Sequence, residues 1–271
     1  MNNQHYHQYL KPVIAIAKTA GEAIMQVYVT DFDFKRKSDN SPLTQADLAA
    51  HNVIVSALKQ LTPDIPILSE ESEDIDASIR NNWEQYWLID PLDGTREFIK
   101  RNGEFTVNIA LIEHHIPVMG VVYAPVPDLL YFAALGQGAY KQIKSETPFQ
   151  IHTRSFDIGR LIVAGSRSHS DHNFQHFLHN IHVNTGAVPE LISMGSSLKI
   201  CLVAEGMADV YPRLGPTFEW DTAAAHCILQ QAGGDIIDEA GQILRYNTKQ
   251  SLLNPRFFAT VKNALNWSDF L

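Results

Sequence analysis

Cysteine is scarce: Cys201 and Cys227 are the only two in 271 residues, and neither has a CxxC neighbour or metal-knuckle spacing. A disulfide-stapled fold and a cysteine-bound metal centre are excluded, and buried thiols in a reducing cytoplasm are expected. Long apolar runs are absent too. No stretch approaches the ~18 apolar residues of a membrane span, and the first residues lack a charged segment followed by an apolar one. Neither secretion nor membrane spanning is expected. Basic residues are in deficit, with 21 Lys and Arg against 30 Asp and Glu and a formal charge of −9. A nucleic-acid polymer is a poor partner for such a chain, because polymer binders carry a basic face. Internal repeats and low-complexity tracts are missing as well. What remains is a chain with 45% hydrophobic residues, enough for a large core arranged as one domain or two lobes.

Leu10, Val13, Ile14, Ala17, Ile24 and Val27 recur at helical spacing and predict an amphipathic helix over 8–29. A second helix is predicted from Gln45 to Leu61, capped by Thr44 and closed by Pro63. Asp64 to Ser69 reads as a strand that delivers Glu70, and Tyr86 to Ile89 as a short buried strand that Pro91 ends. Apolar runs at 105–113, 117–124, 129–135 and 138–143, separated by turn residues, predict an antiparallel meander. Residues 148–160 read as irregular, a change of lobe between 1–155 and 156–271. Beyond them strands and helices alternate, which suggests an α/β layer after an α+β first half.

The chemistry gathers around Glu70, Glu71 and the run Asp90-Pro91-Leu92-Asp93-Gly94-Thr95. Two like charges about 4 Å apart repel by roughly 4 kcal/mol at an effective dielectric near 20. Several carboxylates at one strand end therefore call for protons or bound cations, and hard oxygen ligands suit Mg²⁺, Mn²⁺ or Ca²⁺ rather than zinc. A cation would also reverse the local field, so an acidic chain could take a phosphorylated substrate. Any one of these aspartates could instead cap a solvated turn; the combination is harder to read that way.

The string Trp87-Leu88-Ile89-Asp90-Pro91-Leu92-Asp93-Gly94-Thr95, with Ser69-Glu70-Glu71 upstream and Glu219-Trp220-Asp221 downstream, resembles the Mg²⁺-dependent, Li⁺-sensitive phosphatases of the inositol monophosphatase family. The likeness runs from about Leu10 to Phe270. It implies a layered α-β-α-β-α sandwich with an antiparallel N-terminal sheet and a smaller mixed C-terminal one. It also implies two or three Mg²⁺ ions held by Glu70, Asp90, Asp93, Asp221 and the Leu92 carbonyl. Mn²⁺ would substitute, and Li⁺ and Ca²⁺ would inhibit. Thr95, hydrogen-bonded to Asp47, would be the proton relay beside a catalytic Glu70, because a threonine hydroxyl alone is a poor base. Spacing alone leaves other readings open: Asp221 as a helix N-cap, and Asp47 as an exposed first-turn aspartate favoured by the helix dipole. Glu71 is expected to orient a ligand from behind, and Glu73, Asp74 and Asp76 to lie on a solvated loop. Arg167, Ser168 and His169 follow a strand end and either approach a ligand or form an exposed loop.

Gly195-Ser196-Ser197-Leu198-Lys199 combines close backbone approach, hydroxyls, a helix start and a cation, which together suit an anion. With Arg213 and the Gly215-Pro216-Thr217 segment, these residues resemble the 3′(2′),5′-bisphosphate nucleotidase (CysQ-type) branch of bacterial sulfate assimilation. That resemblance implies removal of the 3′-phosphate of adenosine 3′,5′-bisphosphate to give AMP, and the same reaction on its 5′-phosphosulfate analogue. Substrate contacts would come from Glu70, Leu92, Asp93, Gly94, Thr95, Gly195, Ser196, Ser197, Lys199, Arg213 and Asp221. An inositol or sugar phosphate on the same scaffold is the alternative substrate. No residue singles itself out as the adenine pocket. Related bacterial proteins associate peripherally with the inner face of the cytoplasmic membrane, and nothing in this chain decides that point. A haloacid-dehalogenase mechanism is not expected, because the acids are spaced Asp-x-x-Asp with Pro91 between them. A non-catalytic cation binder is the remaining alternative, disfavoured because every polar role above is filled.

Overall fold

The computed structural model describes residues 4–30, 34–36, 42–72, 75–166 and 172–271. Glu73, Asp74, Arg167, Ser168 and His169 lie outside the described residues. Helix α1 (Gln4–Tyr28) starts a turn earlier than the sequence pattern predicts, because Tyr6 is buried and its hydroxyl donates to Glu113. A hairpin of β1 (Phe34–Arg36) and β2 (Pro42–Thr44) leads into α2 (Gln45–Leu61), whose cap Thr44 accepts the Ala46 N–H at 3.1 Å.

The larger sheet takes seven strands in chain order: β3 (Ile67–Ser69), β4 (Gln85–Asp93), β5 (Thr106–Glu113), β6 (Ile116–Ala124), β7 (Leu129–Ala134), β8 (Gly138–Ile143) and β9 (Phe149–Ile151). Short helices α3 (Ala77–Arg80) and α4 (Thr95–Ile99) flank β4. From β4 onward every pairing is antiparallel, but β3 runs parallel to β4. The sheet is thus mixed rather than wholly antiparallel, because the chain leaves β3 and crosses back through α3 before entering β4. β4 also continues past Pro91 to Asp93, with a register shift between Asp90 and Asp93. Proline is tolerated there because the irregularity removes the ladder position its missing N–H would have filled. Nor is 148–160 wholly irregular, since β9 adds the last strand and a 3₁₀ turn follows at Ile158–Arg160.

The second sheet is built from β10 (Ile162–Ser166), β11 (Glu190–Met194), β12 (Val210–Arg213), β13 (Gly234–Asp238) and β14 (Phe257–Val261), in the order β11-β10-β12-β14-β13. β10 is parallel to β11 and β12, whereas β14 is antiparallel to β12 and β13. Helices α5 (His172–Thr185), α6 (Leu198–Ala204) and α7 (Ala223–Ala232) complete this half.

Three apolar layers hold the stack. Val13, Ala17, Ile24 and Ile54 of α1 and α2 pack on Trp87, Ile89, Val107 and Ile109. Tyr86, Leu88, Ala110 and Val122 face the other way, onto Ile200 and Cys201 of α6 and Ile228 of α7, with Phe257 and Ala259 of the small sheet beyond. Phe177 and Ile181 of α5 cover the outer face of that sheet with Phe258 and Trp267. Alternate residues of β4 thus enter different layers, as a strand covered on both faces requires. The result is the expected α-β-α-β-α sandwich. Both cysteines are buried thiols, and burial raises both above the usual thiol value. Among the described residues, no helix is long and apolar enough to cross a membrane.

Candidate active site

Chain segments far apart in sequence meet at the Asp90 end of β4. Glu70 follows β3 directly, and its N–H donates to the Ile89 carbonyl at 3.1 Å, which docks it beside β4. Asp90 is buried. A 3₁₀ turn, Glu219–Asp221, brings Asp221 in from the second half, with its Oδ2 accepting the Phe218 N–H at 2.8 Å. Oxygens of Glu70, Asp90 and Asp221 lie within 4.8 Å of one another. Burial pushes the Asp221 carboxyl well up, and the charges of Asp93 and Glu70 push it further; the Phe218 N–H and Arg213 oppose them. This all-oxygen donor set, burdened by its own repulsion, fits a hard divalent cation.

Asp93 is turned toward the second half. Its Oδ2 accepts the Ser197 N–H at 2.5 Å and the Asn108 amide at 3.4 Å. Burial raises its carboxyl, with Lys199 and the Ser197 N–H working against the rise. The Leu92 N–H donates to Asp90 Oδ1 at 3.0 Å, and the Leu92 carbonyl accepts from Thr95 Oγ1 at 3.3 Å. Gly94 sits at φ 90°, where a side chain is strained, and a Cβ there would stand 3.2 Å from the Glu104 carbonyl.

Thr95 opens α4 and reaches Asp47 Oδ1 at 3.4 Å. Asp47 is not the exposed first-turn aspartate that spacing allowed: it is 2% exposed. Its Oδ2 takes the Thr44 N–H at 2.7 Å and the Thr44 hydroxyl at 2.6 Å, which leaves Oδ1 on the Thr95 side. Asp221 does not cap α7 either, since Thr222 occupies that position; it closes the 3₁₀ turn while standing in the acidic group.

The Gly195–Ser197 corner is held mainly from within. The Gly195 N–H donates to Glu104 Oε2 at 2.8 Å, and a Cβ at Gly195 would lie 2.5 Å from the Glu104 carbonyl. The Ser197 hydroxyl donates to Asn108 Oδ1 at 2.9 Å and lies 3.0 Å from Thr106 Oγ1. Lys199 is buried, donates to the Ser196 carbonyl at 2.6 Å and lies over the Tyr211 ring. Arg213 Nη2 donates to the Pro216 carbonyl at 2.8 Å. Glu71 is not among the cleft-lining residues, and exposed Asp76 caps α3 through the Ser78 N–H.

Glu70, Asp90, Leu92, Asp93, Gly94, Thr95, Gly195, Ser196, Ser197, Lys199, Arg213 and Asp221 line one cleft of about 500 Å³, which also takes in Phe174, Tyr211, Phe218, Trp220 and Phe257, whereas Asp47, Glu104, Thr106 and Asn108 are not among its lining residues. The sequence reading missed Thr106, Asn108 and Glu104, which hold the Ser197 corner against Asp93. Two polar residues alternating with apolar ones on an otherwise apolar β5 were the available signal. It also missed the support of the 3₁₀ turn: Glu219 is fully buried and accepts the Asn247 N–H at 2.6 Å and Lys249 Nζ at 3.1 Å.

The family model of the inositol monophosphatase family matches residues 5–266, and the chain belongs to that family. Solved structures agree on the fold: an inositol monophosphatase from Anabaena sp. PCC 7120 has a TM-score of 0.73 at 24% identity, over 97% of this chain and 94% of its own. Within the family the chain is an enzyme of the CysQ branch. The 3′(2′),5′-bisphosphate nucleotidase CysQ of Salmonella typhimurium is 48% identical over 93% of this chain and 99% of its own length. The protein of that name from Escherichia coli K12 is 47% identical over the same shares. The crystal structure of CysQ from Bacteroides thetaiotaomicron has a TM-score of 0.83 at 43% identity, covering 96% of this chain and all of its own.

Proposed function

We propose that this protein is a Mg²⁺-dependent phosphomonoesterase that removes the 3′-phosphate of adenosine 3′,5′-bisphosphate, giving AMP, and acts likewise on the 5′-phosphosulfate analogue. One observation carries the reading. Glu70, Asp90 and Asp221 converge within 4.8 Å beside the Asp47–Thr95 pair, in a chain 48% identical to a named bisphosphate nucleotidase. Divalent cations held there, with Asp93 and the Leu92 carbonyl as further ligands, would acidify water and offset the charge of the phosphoryl group.

The chain's own groups supply the rest. Thr44 fixes one oxygen of Asp47, so the other is presented to Thr95. The Thr95 hydroxyl donates to Asp47 and can accept a proton from water in the cleft, passing its own inward. Water oxygen bonds to phosphorus, the P–O3′ bond breaks, and the ribose oxygen leaves with a proton from solvent. Glu70, at the rim of the same group, orients the attacking water. Ser196 and Arg213 suit the second phosphate, while Lys199 steadies the Asp93 side. An enzyme that consumes this bisphosphate would serve sulfate assimilation in the cytoplasm.

The test is a substrate panel with Mg²⁺, repeated with EDTA and with LiCl. Adenosine 3′,5′-bisphosphate is the preferred substrate, EDTA abolishes turnover and Li⁺ inhibits it. A clear preference for myo-inositol 1-phosphate overturns the nucleotide reading, and phosphate trapped covalently on Asp90 or Asp93 overturns direct attack by water.

A further inference from the structure

Buried polar atoms that lack a partner mark places where the protein is completed by something else. Among the described residues, half of such side-chain atoms belong to one cleft: Ser196 Oγ, Arg213 Nε and Trp220 Nε1. Phe218 lines the same cleft.

Phe218 and Trp220 flank Glu219, whose carboxylate is committed to Asn247 and Lys249. The two aromatic rings meet across the turn. They stack with centroids 4.8 Å apart and planes 11° from parallel. Trp220 packs on the central apolar layer, whereas Phe218 belongs to none of the three layers and lines the cleft. One face of Phe218 is thus covered by Trp220, and the half-buried residue lines the cleft. The backbone beneath the ring is held at both ends. Its N–H donates to Asp221 Oδ2 at 2.8 Å, and its carbonyl accepts from the Asn254 amide at 2.7 Å. Phe218 also pairs with Leu253 in an isolated antiparallel bridge. A planar aromatic surface is consequently tethered through its backbone to Asp221, a member of the acidic group.

We propose that Phe218, backed by Trp220, is the platform on which the purine base of the substrate stacks. The inference rests on the nucleotidase reading and adds the group that recognises the base. A base is the chemistry that fits: it is planar, apolar on its faces and joined to the phosphates through a short sugar. Stacking needs no hydrogen-bond readout, so the platform confers a preference for nucleosides over baseless sugars without selecting strongly among purines. This also explains why the cleft walls carry several aromatic rings, Phe174, Tyr211 and Phe257 besides the stacked pair, although the reaction itself uses carboxylates and hydroxyls.

The experiment compares adenosine 3′,5′-bisphosphate with ribose 3,5-bisphosphate, which keeps both phosphates and lacks the base. The readout is the ratio of their kcat/KM values in the parent, F218A, F218L and F218W. Loss of a base–aromatic stack lowers that ratio roughly 5- to 150-fold in F218A and F218L, and F218W restores it. A ratio unchanged in F218A overturns the platform. So does an equal loss on both substrates, which would mean that Phe218 serves only to hold Asp221. A parent that does not hydrolyse the nucleotide at all overturns the nucleotidase reading instead, so the two failures are told apart by the parent enzyme.

Discussion

Replacing Asp221 by asparagine should make the metal-free protein more stable and the metal-loaded protein inactive. Asp221 stands within 4.8 Å of Glu70 and Asp90 in the acidic group. At that separation a pair of unit charges repels by about 3.5 kcal/mol at an effective dielectric near 20, so two such neighbours set an upper bound of about 7 kcal/mol. The relief realised is smaller, because the burial and neighbouring charges that raise the Asp221 carboxyl already disfavour its charged form in the parent. About 1–3 kcal/mol remains. Asparagine keeps an acceptor for the Phe218 N–H, so the turn itself loses little. For a chain of this length each kcal/mol moves the melting temperature by about 2 °C, giving a rise of about 2–6 °C in EDTA. The same linkage fixes the pH dependence. A carboxyl raised on folding binds its proton more tightly folded than unfolded. Its contribution to stability is therefore full below the ordinary carboxylate range, and the metal-free parent loses it as pH climbs through the raised folded value. The variant lacks this slope. Thermal melts by circular dichroism, in EDTA and in excess Mg²⁺ across pH, measure all of this. A variant that melts below the parent in EDTA, or that keeps the parent's full Mg²⁺-dependent rise, would refute the reasoning.

Thr95→Ala and Asp47→Asn should each lower kcat by about 10²–10⁴-fold with KM near the parent value, and the double variant should be no worse than the worse single. Multiplicative losses in steady-state assays would show that the two do not act as one relay. Gly195→Ala places a methyl group 2.5 Å from the Glu104 carbonyl and 2.9 Å from Glu97 Cγ. The corner must move and carry the Ser197 N–H away from Asp93, with a loss of about 100-fold in kcat/KM. Parent-level activity in that variant would deny the corner its role. Gly120→Ala tests the sandwich itself, because its Cβ would fall 2.1 Å from the Ala224 carbonyl where β6 meets α7. Overpacking there should cost at least about 1–3 kcal/mol in urea melts, and an unchanged midpoint would contradict the packing.

Most of the fold was legible because its signals are local. Period-two and helical repeats located α2, the meander and the alternating second half, with ends displaced by a few residues. The β4 register shift was not legible: Pro91 predicts a strand end, and only pairing with β5 shows the strand continuing to Asp93. The parallel β3–β4 pair depends on how the intervening chain crosses over, which no periodicity encodes. At the site, Glu70, Asp90 and Asp93 were recognisable together because their repulsion demands an explanation, whereas Asp221 joined them only through the family resemblance. The burial of Asp47 was not legible, since the first turn of a helix is normally solvated and the Thr95 contact comes from a distant segment. The Asp93–Ser197 bond likewise joins residues 104 positions apart. Phe218 gave no signal at all, because a lone aromatic beside Glu219 and Trp220 reads as core until its stacking partner and cleft face are seen.

Crystals grown in Mn²⁺ and measured at its absorption edge examine the acidic group most directly. Anomalous peaks should lie among Glu70, Asp90 and Asp221, next to the Leu92 carbonyl, and should vanish in Asp221→Asn crystals along with activity. An enzyme that turns over in the same Mn²⁺ solution with no peak among those carboxylates would contradict the cation-based site.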